Sequence, residues 1–304
     1  MINGIINVYK ERGYTSHDVV AKLRGILKQK KIGHTGTLDP EAQGVLPVCL
    51  GKATKVCELL TDKTKEYRAV LRLGVVTDTQ DMTGTVLQET DVTCTEEEIR
   101  ACISGFTGVQ EQIPPMYSAL KVDGKKLYEL ARQGIEVERK PRKIIIERIE
   151  IEDISLPELT MTVKCSKGTY IRTLCHDIGA ALGCGGCMKS LLRIQVGPFL
   201  LENSVTIDEI IRCRDEGRLD EVVHPTDSVF LHLPELTLTP EAERFVRNGN
   251  PLYPGMPGIA AEILRGKAME SDTKLRVYSA EGEFLAVYQW DREKACYRAV
   301  KMFL

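Results

Sequence analysis

The sequence lacks the features that mark several classes of protein. No stretch approaches the roughly 20 consecutive apolar residues that a membrane span needs. The first residues show no basic region followed by a long apolar one, so we expect no signal peptide, no membrane contact and a cytoplasmic protein. With 43% hydrophobic and 28% charged residues among 304, the chain does not have the composition of a disordered, collagen-like or coiled-coil protein.

The sequence also lacks an excess of charge of either sign. Lysine and arginine number 41, aspartate and glutamate number 43, and the net charge is −2. This balance excludes a uniformly basic nucleic-acid binder but leaves room for a local basic face. Residues 1–80 hold 13 basic and 8 acidic side chains, so we expect an anionic partner to meet the N-terminal part.

Cysteine, by contrast, is abundant, with ten residues. Without an expected signal peptide, the thiols are predicted to stay reduced and to serve mostly as small buried side chains. Cys184 and Cys187 form a CxxC pair, but the spacing is not that of a two-pair zinc ribbon, and two intervening glycines suit a tight turn. We therefore predict no metal site and no redox pair there.

Hydrophobic periodicity predicts an α+β protein with irregularly mixed strands and helices. The predicted strands are 4–9, 45–50, 64–73, 144–152, 158–165, 188–197, 274–279, 284–290 and 297–303. The predicted helices are 15–27, 95–105, 170–182, one that opens at Thr206 and one from Thr239 to Gly249. Residues 110–143 look like an excursion with a turn at Asp123-Gly124. Loosened patterning at 225–238 predicts a boundary between residues 1–230 and a small, mostly β domain at 231–304.

The segment 33–47 carries the most chemical information. Three glycines and two prolines in 15 residues predict a loop of defined shape, which holds one carboxylate, Asp39, and one imidazole, His34. Because Asp39 precedes Pro40, its backbone is pushed toward the extended region. These residues alone leave two interpretations open: a turn initiator or a catalytic carboxylate for Asp39, and a structural or catalytic role for His34.

Six segments, in the same order, resemble the motifs of bacterial tRNA pseudouridine synthases of the TruB family: 33–40, 44–55, 65–68, 73–81, 114–121 and 167–174. Several ordered motifs are far more specific than any one alone. The resemblance covers roughly residues 4–230. It implies a mixed, largely antiparallel pseudouridine synthase domain with a thumb-like insertion at about 110–143, followed by a small C-terminal RNA-binding domain.

The same resemblance implies isomerisation of uridine to pseudouridine at position 55, in the T-loop of tRNA, with no metal or other cofactor. Asp39 would be the nucleophile, either at the ribose carbon or at C6 of the uracil, and both routes stay open. Arg172 would pair with Asp39 and hold its orientation, and Tyr67 would stack on the uracil. Without the resemblance, Arg172 is typical of a surface charge and Tyr67 of a core aromatic residue.

Four more residues are expected to bind the substrate. His34 would fill the space left by the flipped-out uridine, and Leu191 would form an apolar wall of the uracil pocket, although plain core packing is an alternative for Leu191. Lys65 and Lys10 complete the set. The chain departs from the family pattern at Glu11, where proline is usual, and at Leu192, where an arginine is usual.

The expected partner is the T-arm of tRNA, with no obligate protein partner, and the simplest expected state is a monomer. One alternative is a tRNA-binding or tRNA-folding chaperone without catalysis, and another is a synthase that works in a guide-RNA complex. The presence of Asp39, Tyr67 and Arg172 together favours an enzyme. The compact chain without basic extensions favours a stand-alone one.

Overall fold

The described residues, 1–256 and 273–304 of a computed structural model, form two separate main sheets. The strands of the larger sheet are β1 (Gly4–Lys10), β2 (Ile32–His34), β3 (Gln43–Leu50), β4 (Lys65–Leu73), β7 (Gly108–Gln112), β10 (Arg142–Ser155), β11 (Glu158–Cys165), β12 (Gly186–Val196) and β13 (Phe199–Leu200). Those of the smaller sheet are β14 (Glu235–Thr237), β15 (Lys274–Tyr278), β16 (Phe284–Asp291) and β17 (Cys296–Met302). Two hairpins stand apart: β5 (Val75–Thr77) with β6 (Val86–Glu89), and β8 (Lys121–Val122) with β9 (Lys125–Lys126).

The helices of the described residues are α1 (Ser16–Ile26), α2 (Cys57–Thr61), α3 (Glu96–Ser104), α4 (Leu127–Ala131), α5 (Ile171–Ala181), α6 (Ile207–Asp215) and α7 (Pro240–Arg247). Capping boxes begin three of them, at Thr15, Thr95 and Thr206. Each threonine hydroxyl accepts from the backbone of the third helical residue, whose carboxylate accepts from the threonine backbone, so two otherwise unpaired donors are satisfied. No helix of the described residues is long and apolar enough to cross a bilayer.

Strand β4 lies at the centre of the larger sheet, paired with β12 and β11, and its side chains alternate between buried and more exposed along the whole strand. The sheet order is β1-β3-β12-β4-β11-β10-β7, with β2 and β13 attached to β3 and β12. Neighbouring strands are antiparallel except for β3 and β12, which run parallel. The predicted α+β class, with a mixed and largely antiparallel sheet, is confirmed.

Two helices cover different parts of the larger sheet. Helix α1 packs Val19 and Leu23 against strands β1 and β3. Helix α5 packs Leu174 and Ile178 against β4 and β11. Burying one such side chain stabilises the fold by roughly 1.5–3 kcal/mol, so these faces hold the strand ends in place around the site.

The excursion leaves and returns at one edge of the sheet. Gln112 on β7 pairs with Arg142 on β10, so the chain from 113 to 141 projects from two adjacent strand ends. Within it, Asp123 and Gly124 have positive φ angles of 50° and 82° and connect β8 to β9, as their sequence predicts.

The smaller sheet is a separate C-terminal unit of mostly β structure, with its own buried cluster around Leu236, Leu275 and Tyr288. The predicted boundary at 230–231 and an RNA-binding role for this unit stay predictions. The elements predicted from the sequence do not include β2, α2, β7 or the β5–β6 hairpin. Each is five residues or fewer, too short to show a period that distinguishes it from a loop.

Candidate active site

The Asp39 loop connects β2 to β3 and is anchored by hydrogen bonds to the segment before and at the start of α1. The backbone N–H of Leu38 donates to the Ser16 hydroxyl at 2.9 Å, and the N–H of Gly13 donates to the Pro40 carbonyl at 2.9 Å. The N–H of Ala42 donates to the Asp39 carbonyl at 3.1 Å. The loop is therefore fixed on both sides of a carboxylate whose side chain is 41% exposed.

Arg172, in the first turn of α5, meets the Asp39 carboxylate from the buried side. Its Nε lies 3.0 Å from Asp39 Oδ2, and one terminal nitrogen lies 3.4 Å from Oδ1. The same guanidinium donates to the carbonyls of Thr79 at 2.9 Å and Tyr117 at 2.8 Å. Because the Arg172 side chain is only 5% exposed and its guanidinium contacts Asp39, Thr79 and Tyr117, its position is fixed. Asp81 adds a second carboxylate at 3.7 Å.

Tyr67 and Leu191 supply apolar walls beside this pair. They lie on the adjacent strands β4 and β12, where Leu191 pairs with Ala69 and Arg193 pairs with Tyr67. Both side chains are 9% exposed. Burial raises the pKa of the Tyr67 phenol above its usual value, so the phenol is neutral near pH 7.

These residues line one cavity of about 320 Å³, which lies within the volume range of small-molecule sites. Its walls are Gly36–Asp39, Thr61, Lys65, Tyr67, Ser118–Leu120, Ser166–Arg172, Leu191 and Arg193. The structure thus brings together five of the seven predicted site residues: Asp39, Tyr67, Arg172, Leu191 and Lys65. Their roles in catalysis and binding stay predictions.

Lys10 is placed behind the loop and not on the cavity wall. Its side chain is fully buried, and its ammonium donates to the carbonyls of Tyr14 at 2.5 Å and of Glu11 and Pro40 at 3.1 Å each. Burial lowers the pKa of Lys10 to about 8. Substrate binding by Lys10 stays a prediction, whereas its observed contacts hold the Asp39 loop.

Lys65 lies on the cavity wall with its ammonium directed to the backbone. It donates to the carbonyls of Thr61 and Lys63, the latter at 2.7 Å. Burial lowers its pKa to about 8. These bonds hold the turn between α2 and β4 against the cavity.

His34 ends β2 and lies outside the cavity lining. Its ring meets His17 edge-on at 5.2 Å, and its Nδ1 accepts from the Gly36 N–H at 3.3 Å. Burial, with the nearby His17 and Arg193, lowers the pKa of His34 to about 4, so the imidazole is neutral at pH 7. The neutral, half-buried ring lies where the Asp39 loop begins. This position is compatible with the predicted contact to displaced nucleotides, which stays a prediction.

Sequence reasoning missed the contacts that join the excursion to the site. Gln112 bonds the backbone of Tyr170 twice, donating to its carbonyl at 3.0 Å and accepting from its N–H at 2.8 Å. Tyr117 supplies a carbonyl to Arg172. The excursion therefore packs on the segment that carries Arg172, and the position of these polar residues in a predicted loop gave no signal for that.

Sequence reasoning also missed Arg193, which was considered only as part of a departing arginine motif. It is 1% exposed and lines the cavity. The one indication in the sequence was that Arg193 is a charged residue within the predicted strand 188–197.

Within the described ranges, no group of three or more His, Cys, Asp or Glu side chains is placed to hold a metal ion. Cys184 and Cys187 are both buried free thiols, and Cys187 Sγ lies 3.4 Å from Met82 Sδ. What the site offers is one partly exposed carboxylate, fixed by a buried guanidinium, next to an aromatic ring and an aliphatic wall. Such a carboxylate is suited to act as a nucleophile or base at a glycosidic centre.

Solved structures share this fold. A chain in a structure described as "Crystal Structure of a Cbf5-Nop10-Gar1 Complex" aligns with a TM-score of 0.73 and 29% identity, over 99% of this chain and 85% of that one. A chain in "Structure of H/ACA RNP bound to a substrate RNA containing 2'-deoxyuridine" aligns with a TM-score of 0.72 and 26% identity, with the same coverage.

Sequence relatives are closer. A tRNA pseudouridine synthase B from Lachnoclostridium phytofermentans is 53% identical over 313 residues, with both chains covered in full. Proteins of the same name from Clostridium perfringens and Bacillus pumilus are 46% and 45% identical, over 96% and 95% of this chain and 96% and 93% of theirs.

Two family models together match residues 24–231. The model described as TruB family pseudouridylate synthase (N terminal domain) matches residues 24–171, and that described as tRNA pseudouridylate synthase B C-terminal domain matches 172–231. With relatives this similar over the full chain, the sequence belongs to the TruB family of pseudouridylate synthases.

Proposed function

We propose that this chain isomerises uridine to pseudouridine in tRNA, acting on the flipped-out uridine at position 55 of the T-loop with Asp39 as the nucleophile. Membership of the family makes the chain a pseudouridine synthase, and the relatives named tRNA pseudouridine synthase B support tRNA as the substrate. The observation that carries the catalytic assignment is the Asp39–Arg172 pair, whose carboxylate end opens on the cavity beside Tyr67.

The reaction breaks the bond between uracil N1 and the ribose C1′, turns the base and joins C5 to C1′. The proton on C5 then leaves to solvent and N1 takes up a proton from solvent, so the atoms balance and no electrons are gained or lost. Asp39 acts either on C1′ or on C6 of the ring. In both routes Arg172 holds the carboxylate toward the cavity, because its contacts with Thr79 and Tyr117 prevent the guanidinium from following the substrate.

The apolar walls suit a planar base. Tyr67 stacks on the uracil, and Leu191 closes the opposite side. Extracting a base from the T-loop costs a few kcal/mol of stacking, which contacts made by the protein must offset. We infer that His34 fills the vacated space and that basic residues of the excursion contact phosphates. The enzyme acts in the cytoplasm as a monomer with no obligate protein partner.

The proposal is tested by release of tritium from a T-arm stem-loop labelled at uridine C5. Wild-type protein is expected to release one equivalent from the position-55 uridine. A matched transcript with cytidine at that position is expected to release none. Asp39→Asn is expected to lower the rate by about 1000-fold or more while leaving RNA affinity intact.

Asp153→Asn is the matched control, because Asp153 is an exposed carboxylate on β10, outside the cavity lining. It should release tritium at the wild-type rate. Equal release by Asp39→Asn would overturn the nucleophile assignment. Tight binding without release by wild-type protein would support a non-catalytic tRNA-binding chaperone instead.

A further inference from the structure

Arg193 occupies the place where three strands of the larger sheet meet. It lies on β12, where its backbone pairs with Tyr67 on β4 and with Gly44 on β3. Its side chain is 1% exposed and forms part of the cavity wall. The guanidinium is thus enclosed between the strand that carries Tyr67 and the loop that carries Asp39.

The donors of Arg193 are directed to that loop and to the strand after it. Nε donates to the Val45 carbonyl at 2.7 Å, and the two terminal nitrogens donate to the Gly36 carbonyl at 3.3 Å and the Thr37 carbonyl at 3.5 Å. Gly36 and Thr37 directly precede Leu38 and Asp39. The guanidinium therefore holds the backbone immediately before the catalytic carboxylate.

The same guanidinium also reaches Tyr67. Strand pairing places Arg193 opposite Tyr67, and the positive charge of the guanidinium opposes part of the rise in the pKa of Tyr67 that burial causes. One rigid, planar cation thus bonds the loop before Asp39, on a strand position directly beside the residue expected to stack on the base.

Arg193 forms no ion pair with a carboxylate in the part of the chain that the structure describes. Burying a cation among neutral carbonyls costs free energy, and burial lowers the pKa of this guanidinium. A hydrophobic side chain of similar length would fill the space without that cost but would not join Tyr67 to the loop. Packing alone is therefore a poor explanation for an arginine here.

We propose that Arg193 is a positioning residue for catalysis, which holds the Gly36–Asp39 loop beside Tyr67 on the adjacent strand, so that the base and the carboxylate keep the geometry that the reaction needs. The inference rests on the proposed function. Removing the guanidinium lets the ring and the loop move independently, and a displacement of about 1 Å costs about 100-fold in rate. RNA affinity is set elsewhere, because Arg193 is enclosed by protein.

The test is single-turnover tritium release from the C5-labelled T-arm stem-loop, with RNA affinity measured separately. We expect Arg193→Met to lower the rate by about 100-fold, with affinity within about twofold of wild type. Arg193→Lys, which keeps the charge but not the planar fork, should recover about a tenth of the wild-type rate. Arg148→Met, an exposed arginine on β10, is the matched control and should leave the rate unchanged.

The link is tested by combining Arg193→Met with Tyr67→Phe. Since each change breaks the same connection, the double variant should be no more than about threefold slower than the slower single variant. If the rate losses of the two single variants multiply in the double variant, the link is overturned. The same follows if Arg193→Met releases tritium at the wild-type rate, or if it loses only RNA affinity. If Arg193→Met does not fold, the same cycle run with Arg193→Lys decides.

The two proposals fail in different ways. Absence of release by wild-type protein overturns the proposed function. If the wild type releases tritium and the Arg193 variants release it at the same rate, only the positioning role is overturned.

Discussion

The Arg172 guanidinium contacts the Asp39 carboxylate through two nitrogens, with Nε 3.0 Å from Oδ2, although the residues are 133 positions apart in the chain. The arginine is enclosed and the carboxylate is partly open to the cavity. The pair is therefore asymmetric: Arg172 is held by backbone carbonyls, and Asp39 is the member that can reach a substrate.

Arg172→Lys should lower the rate of tritium release by about 100-fold, because one ammonium cannot serve Asp39, Thr79 and Tyr117 together. Single-turnover rates at saturating RNA measure this loss. Arg148→Lys, an exposed exchange of the same kind on β10, should have no effect. A wild-type rate in Arg172→Lys would show that charge alone is sufficient at this position.

Gly44→Ala should destabilise the fold by about 2–5 kcal/mol and reduce activity. Gly44 has a φ of 104°, and a Cβ there would lie 2.2 Å from the Arg193 carbonyl oxygen, on backbone that cannot easily move. Urea unfolding measures the change. Gly217→Ala separates the two causes, since Gly217 has a φ of 70° and open space around it, so only the backbone strain of about 1–2 kcal/mol should appear.

Lys10→Met should lower the free energy of unfolding by about 1–3 kcal/mol, because three carbonyls that now accept from the ammonium would lose their donor. The catalytic rate should fall with it, as the Pro40 carbonyl belongs to the Asp39 loop. RNA affinity distinguishes this role from the predicted substrate contact. An affinity loss with unchanged stability would show that Lys10 reaches the RNA.

The free energy of unfolding should respond to pH through the buried thiol of Cys175. Burial raises its pKa far above 9.0, so the unfolded chain loses this proton first as the pH rises. The protonated thiol makes its full contribution to the free energy of unfolding below about pH 9. About 1.4 kcal/mol of this free energy is lost by pH 10.

The stability gap between wild type and Cys175→Ala should therefore shrink by about 1.4 kcal/mol between pH 7 and pH 10. Val163→Ala, a buried apolar truncation on β11, creates a comparable void without a titrating group. Its gap from wild type should stay constant across the same range. A constant gap for Cys175→Ala as well would show that the thiol is not protonated preferentially in the folded chain.

Long, strongly periodic elements were predictable from the sequence, and short ones were not. The alternation of 64–73 predicts β4 within a residue, and the helical spacing after Thr15 predicts α1. Strand β2 was predicted as loop because three residues carry no measurable period; its pairing with β3 is what makes it a strand. The β5–β6 hairpin went unseen for the same reason, with β6 exposed along its whole length.

The site was only partly predictable, and the resemblance carried most of it. The motifs single out Asp39, Tyr67 and Arg172, and the structure places all three on one cavity. The motifs give no distances, so they did not show that Lys10 lies behind the loop and His34 beside it. Arg193 was overlooked because a charged residue in a strand signals burial only when its neighbours in space are known.

By itself, the sequence determined the α+β class, the family resemblance and the identity of the carboxylate in the glycine- and proline-rich loop. These follow from local periodicity, turn chemistry and ordered motifs, which depend on residues close together in the chain. Tertiary structure alone decided which cations face the cavity and which support its walls. That depends on strand register and burial, which bring Asp39, Tyr67, Arg172 and Arg193 together from four separate segments.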